Sequence, residues 1–249
     1  VTREHVMVSW WILMGCGEPL SVPCADDGIC VRAFGEGSTC QSDGLCRRVR
    51  APTGETGDAG PIALPPEDLV INEVLYDPSN APAEADGSLP GDANGDGVYV
   101  HNLDEFVELV NIGSEPLDVS GFQLYDDEAW LGGRPRHTIA QGTVIGPGMA
   151  LVVFGGGDPT GEFGGSIVQT ADDGEINLNN DRDALHVATP DGFEFLTFDV
   201  TSRANNPNES YTRVPDLYGE TFQQHGSATP RLFSPGTRRD GTPFVSTAP

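Results

Sequence analysis

The segment Asp92-Ala93-Asn94-Gly95-Asp96-Gly97 sets three oxygen-bearing side chains at alternate positions and closes them with a glycine. Side chains so spaced converge inside a tight loop. Calcium takes about six to eight oxygen ligands, so the chemistry this spacing offers is the binding of Ca2+. The carbonyl of Val98 supplies one more oxygen. The twelfth position, where a helix-flanked calcium loop carries a bidentate Glu, is Leu103; Asp104 and Glu105 follow at once and give a shifted closing carboxylate. No helical pattern flanks the segment, so it reads as a β-connection in which a structural Ca2+ is held. The competing reading is an Asp/Asn/Gly-rich turn with no ion. The whole connection 78–102 is longer than ordinary loops, which calls for something to order it.

Other candidate chemistry is sparse. His101, His137, His186 and His225 are scattered without a metal-ligand spacing and read as surface or hydrogen-bonded residues. The sequence contains no G-x-S-x-G nucleophile elbow and no phosphate-binding glycine loop. Gly155-Gly156-Gly157-Asp158 and Gly164-Gly165 read as strand-end turns. With 38 acidic residues in the chain, a glycosidase-like carboxylate pair arises from numbers alone and carries no weight. Trp130 follows Asp126-Asp127-Glu128 and serves either as packing or as an exposed aromatic for a sugar or protein.

Four of the five cysteines form a repeat, Cys24-Ala-Asp-Asp-Gly-Ile-Cys30 and Cys40-Gln-Ser-Asp-Gly-Leu-Cys46. Asp-Gly favours a tight turn, so each unit folds back as a small hairpin or loop. Four cysteines allow three pairings, and the spacing does not choose among them. Two disulfides, each contributing about 2–4 kcal/mol, suit a segment too short for a core; a four-thiolate zinc site normally uses C-x-x-C pairs. The fifth cysteine follows an apolar run, Val6–Gly15, far shorter than the roughly 20 residues of a membrane span but matching the apolar region of a signal peptide. Leu13-Met14-Gly15-Cys16 resembles the lipobox of bacterial lipoproteins. That resemblance implies a cleaved leader over 1–15, lipidation of Cys16, membrane attachment through a lipid anchor, and an extracytoplasmic place on the bacterial envelope or outer surface.

The elements that must position these residues are short strands. Gly (32) and Pro (20) supply frequent turns, and the apolar residues gather in runs: 69–76, 105–112, 122–125, 137–140, 150–154, 184–188 and 193–200. The runs 184–188 and 193–200 form a hairpin across Thr189-Pro190-Asp191-Gly192. Within the second, Phe193 and Phe195 share one phase while Leu196, Phe198 and Val200 share the other, which predicts a β-bulge. Residues 47–66 read as a linker between a Cys-rich stalk, 16–46, and a β domain, 67–244, with a short tail at 245–249. The 13 basic residues are all Arg and the net charge is −25. Between Arg50 and Arg134 there are 18 acidic residues and no Lys or Arg. Such a surface excludes nucleic acid, whose phosphates need cationic partners, and suits cation binding.

The β domain resembles the lamin tail domain. The likeness runs through Val70-Ile71-Asn72-Glu73-Val74-Leu75-Tyr76-Asp77-Pro78, Gly91–Gly97 and Asp104-Glu105-Phe106-Val107-Glu108-Leu109-Val110-Asn111. It continues through Leu117–Leu124 and Ile145–Phe154 and ends, as in bacterial exported members, with Asn208–Arg213 and Phe233–Arg238. The resemblance implies an all-β, immunoglobulin-like antiparallel β-sandwich that acts by binding rather than by catalysis. The resulting expectation is a non-enzymatic, lipid-anchored surface protein presenting this module to a protein or glycan partner. Its rivals are a structural envelope component and a metal-dependent hydrolase of extracellular polymer.

Overall fold

The computed structural model describes residues 38–40, 46–48, 65–203, 206–227 and 229–244. The apolar leader, Cys16, the first cysteine unit with Cys24 and Cys30, most of the linker and the C-terminal tail lie outside the described residues. The chain divides into two units, 1–62 and 63–249. In the first, β1 (Ser38–Cys40) and β2 (Cys46–Arg48) pair antiparallel, with Cys40 and Cys46 at opposed register positions.

Among its described residues the second unit holds twelve strands. They are β3 (Leu69–Leu75), β4 (Phe106–Asn111), β5 (Leu117–Asp118), β6 (Gln123–Tyr125), β7 (His137–Thr138) and β8 (Val144–Ile145). Then follow β9 (Ala150–Phe154), β10 (Ile167–Thr170), β11 (Ala184–Ala188), β12 (Glu194–Asp199), β13 (Tyr211–Val214) and β14 (Thr221–Gln224). One sheet runs β10-β9-β4-β3-β13-β14, the other β12-β11-β6-β7, with β5-β8 as a small separate pair. The fold class is all-β, an immunoglobulin-like sandwich. Pairing is antiparallel except between β9 and β10, which run parallel because the connection 155–166 carries the chain back along the sheet.

Between the sheets lies one large core that includes Ile71, Val74, Tyr76, Val107, Leu109, Leu124, Ile139, Leu151, Leu185 and Phe198, all essentially inaccessible. The opposite face of the β3-β4-β9 region is covered too. Leu75, Phe106, Val152 and Phe154 pack there under Ala93, Phe163 and Phe233, and Val110 and Ala150 under Leu217 and Phe244. Strands buried on both faces read as continuous apolar runs rather than alternations, which is why 69–76 and 105–112 were so conspicuous.

Two bulges set the phase of the site strands. In β12 the register passes from Val187↔Leu196 to Ala188↔Glu194, leaving Phe195 unpaired at the bulge expected from the sequence. Phe195 meets Phe122 edge-on at 5.5 Å. In β3 the register passes from Ile71↔Leu109 to Glu73↔Glu108, so Asn72 is the extra residue and Glu73 faces Glu108 directly. Among the described residues no helix is long and apolar enough to cross a membrane.

Candidate functional site

The acidic loop folds around its own backbone. Gly97 N donates to Asp92 Oδ2 at 2.9 Å, Asp96 N to Asn94 Oδ1 at 3.0 Å, and Val98 N to Asp96 Oδ1 at 2.9 Å. Each side chain thus closes a turn over the residues that follow it. Asp92 Oδ1 is buried and has no hydrogen-bond partner. Asp104, fully buried at the end of the one-turn helix His101–Asp104, ties the loop's two ends: Oδ1 accepts from Ala93 N at 2.9 Å and Asn94 N at 3.3 Å, and Oδ2 from Val100 N at 2.8 Å. Burial raises its pKa to about 6 even though those three N–H donors favour the carboxylate.

Asp92, Asn94, Asp96 and Asp104 are therefore brought into one loop. Val98 follows directly, its side chain mostly exposed. Glu105 is directed elsewhere: buried, it accepts from Leu178 N at 3.1 Å, with His101 Nε2 3.7 Å away, and burial holds its pKa well above the usual range. Among the described residues no three His, Cys, Asp or Glu side chains gather as a metal-holding group.

The turn after β9, which the sequence marked only as a strand end, is the platform for this loop. Asn94 Nδ2 donates to the Gly156 carbonyl at 3.2 Å, Asp158 N to Asp96 Oδ2 at 3.2 Å, and Thr160 N to the Asn94 carbonyl at 3.0 Å. Gly157, at φ 76°, leaves the space the loop fills: a Cβ there would lie 2.3 Å from Asn94 Nδ2 and 2.6 Å from Asp96 Oδ2. Beside the loop, reached through Ala93, opens a cleft of about 410 Å³. Phe163, Phe233, Arg231 and Glu162 line it, with Ser234 in its wall. It offers both aromatic faces and one charge of each sign.

Three of the four described histidines, His137, His186 and His225, are engaged in side-chain hydrogen bonds. His137 is buried with Nε2 2.9 Å from Gln169 Oε1. His186 is held between two carboxylates, Nδ1 at 2.6 Å from Glu194 Oε1 and Nε2 at 2.8 Å from Asp127 Oδ1, and stacks on Trp130 at 5.1 Å. Burial lowers its pKa, but the two carboxylates outweigh burial and the net shift is upward. Trp130, half-buried, also meets Tyr125 edge-on at 5.1 Å. It is a packing residue on the face it shares with His186 and Tyr125.

Residues 63–202 match the family described as the Lamin Tail Domain, a stretch that contains β3 through β12 and more than half of the chain. The chain belongs to the lamin tail domain family. No curated protein and no solved structure matches it.

In this lamin tail domain the match stops short of β13, β14 and the segment to Phe244, yet β13 is hydrogen-bonded to β3 in the main sheet. That segment covers a polar cluster that the sequence did not single out: Asn72, Glu73, Glu108, Ser210, Ser234 and His225, all fully or nearly fully buried. The available signal was a Glu in the middle of each of two apolar runs, LVINEVLY and EFVELVNI. A charge inside a strand buried on both faces requires partners. Apart from Asn72, 36 positions from Glu108, those partners lay more than a hundred positions away.

Proposed function

We propose that this lamin tail domain protein is a non-enzymatic, lipid-anchored bacterial surface protein. Cys16 carries the anchor, the disulfide-bonded stalk and linker act as spacer, and the sandwich presents a binding surface to a protein or glycan partner. The surface we assign is the cleft of Phe163, Phe233, Arg231 and Glu162 beside the acidic loop. Aromatic faces stack on sugar rings or apolar side chains while the two charges orient polar groups.

Calcium orders that surface in this proposal. The observation that carries it is Asp92 Oδ1, a buried carboxylate oxygen with no hydrogen-bond partner, in a loop where Asp92, Asn94 and Asp96 each bond the loop's own backbone. A buried carboxylate oxygen without a partner is costly, and a hard cation satisfies it. The donor set of carboxylate, amide and carbonyl oxygens fits calcium better than it fits a softer metal.

The test is a thermal melt of the full chain in millimolar calcium and then in chelator. The midpoint is expected to rise with calcium concentration, as mass action requires of a ligand bound only by the folded state, and Asp92→Ala to abolish the rise. An unchanged midpoint would reduce the loop to a plain turn. Alongside it, mass spectrometry of the N-terminal peptide reads acylation on Cys16 directly.

A further inference from the structure

Glu73 and Glu108 are opposed cross-strand neighbours, both with no exposed surface. Like charges so placed repel, and burial penalises each ionised form. Their hydrogen-bond partners are neutral. Glu108 Oε1 accepts from Asn72 Nδ2 at 2.8 Å and Oε2 from Gly236 N at 2.7 Å. Glu73 Oε1 accepts from Ser210 Oγ at 2.7 Å and Ser234 N at 2.8 Å.

The remaining contact counts protons. Ser234 Oγ is 2.7 Å from Glu73 Oε2 and 2.9 Å from His225 Nε2, and a hydroxyl has one proton to give. His225 Nδ1 lies 2.9 Å from the Arg231 carbonyl, which only accepts, so Nδ1 bears a proton; Thr229 Oγ1 stands farther off at 3.3 Å. Two arrangements then satisfy every atom. In one, protonated Glu73 donates to Ser234, and Ser234 donates to the neutral ring. In the other, Nε2–H donates to Ser234, and Ser234 donates to the Glu73 carboxylate. Both contain the same number of protons. Take one away, and Ser234 serves only one neighbour, leaving the other's lone pair buried and unmet.

We propose that Glu73, Ser234 and His225 share a single titratable proton, and that this proton latches residues 206–244 onto the lamin tail domain. The same cluster makes the ties that hold the segment: Ser210 and Ser234 to Glu73, Gly236 to Glu108, and Leu217 N to Asn72 Oδ1 at 2.9 Å. The facing charges divide: Asp216 favours a protonated Glu73, while Asp216 and Glu209 also favour a charged His225. Glu108, Asp216 and Glu209 are acidic neighbours, Arg239 disfavours a charged His225, and Arg238 faces Asp216. Burial raises Glu73 to about 7, against the pull of its serine donors, and burial lowers His225. A carboxyl raised in the folded state stabilises it fully below its unfolded pKa and loses that contribution as pH rises through the folded value. The lowered His225 acts in the opposite sense up to its unfolded value of about 6.5, so the segment loosens on the alkaline side of that value.

Hydrogen exchange of the full chain, followed by mass spectrometry from about pH 5 to about pH 9 and corrected for intrinsic rates, tests this. Opening of Tyr211–Val214 and 232–236 is expected to increase at least about tenfold across that range, the equivalent of one pKa unit, while Ala150–Phe154 stays level. Glu73→Gln keeps a donor toward Ser234 but has nothing to titrate, and its exchange is expected to be flat with pH. Should that variant fail to fold, the ring nitrogens of His225 in the wild-type chain give a second measurement by NMR. They are expected to show Nδ1 protonated throughout and the Nε2 signal changing only where the relay deprotonates. Equal pH dependence in the segment and in 150–154, wild-type pH dependence in Glu73→Gln, or a His225 ring that titrates like free imidazole would each overturn the proposal.

Discussion

Gly157 shows how one absent side chain sets a site. It has φ 76°, a conformation that costs an L side chain energy, and any Cβ would collide with the Asn94 amide and the Asp96 carboxylate. Gly157→Ala is expected to destabilise the fold by about 1–3 kcal/mol and to push the acidic loop off its platform. Denaturant unfolding measures the first effect, and loss of the calcium-dependent rise in melting midpoint measures the second. An unchanged midpoint with an intact calcium response would mean that the loop does not rest on this turn. The residues of the loop were legible in the sequence because their alternation is local. Its platform was not, because Gly156 is 62 positions from the Asn94 amide it receives.

The helix Asp127–Gly132 is too short to persist by its own hydrogen bonds, so its neighbours must hold it. At the N-terminus Asp126 caps it, accepting from Ala129 N at 2.8 Å, and Arg136 grips both oxygens of Asp126, at 3.0 and 2.9 Å. Gly133, left-handed at φ 67°, ends it. From the sheet side the clamp is His186, bonded to Asp127 in the helix and to Glu194 in β12. Two carboxylates on one ring require both nitrogens to donate, so the clamp is an imidazolium. Its pKa is raised in the folded state. The clamp's contribution is therefore full below about pH 6.5, the unfolded value, and lost as pH rises through the higher folded value. Trp130 stacks on that ring, so its near-ultraviolet dichroism is expected to weaken on alkalisation with a midpoint above that of free imidazole. His186→Asn should abolish this transition. A transition that persists in the variant would place the titrating group elsewhere.

The same scale shows what sequence patterns convey. Seven strands were visible as apolar runs, and the β12 bulge as a phase change, because hydrophobic placement is what fixes them. Strands β5 and β8 have two residues each, and β14, Thr-Phe-Gln-Gln, alternates exposed and half-buried at a sheet edge. Tyr-Thr-Arg-Val of β13 carries an Arg that donates to the Ile71 carbonyl at 2.9 Å, a contact no local pattern announces. The short helix escaped notice because its one aliphatic residue larger than Ala, Leu131, is 88% exposed and no period develops in six residues.

At the scale of the molecule, the family match and the folded unit do not share a boundary. The match ends at 202, whereas the sheet continues through β13 and β14 and the covering layer reaches Phe244. A chain ended after residue 202 would bare the β3 edge and uncover Glu73 and Glu108 along with Val110 and Ala150. Such a chain is expected to lose cooperative melting and to aggregate, as seen by calorimetry and light scattering. A sharp transition like that of the full chain would mean the added strands are dispensable.

The interior position of β3 has a bearing on time as well as on form. It is among the first segments of its sheet to be made, yet one of its two neighbours is β13, and Ser210 meets Glu73 across 137 positions. During synthesis the strand can pair with β4 soon after both emerge, but its other edge stays open until nearly all of the unit exists. Closure over so long a span is slow, and an open apolar strand invites mispairing meanwhile. Protection of that edge while the chain is incomplete thus falls to whatever accompanies the growing polypeptide, a requirement written into the strand order itself.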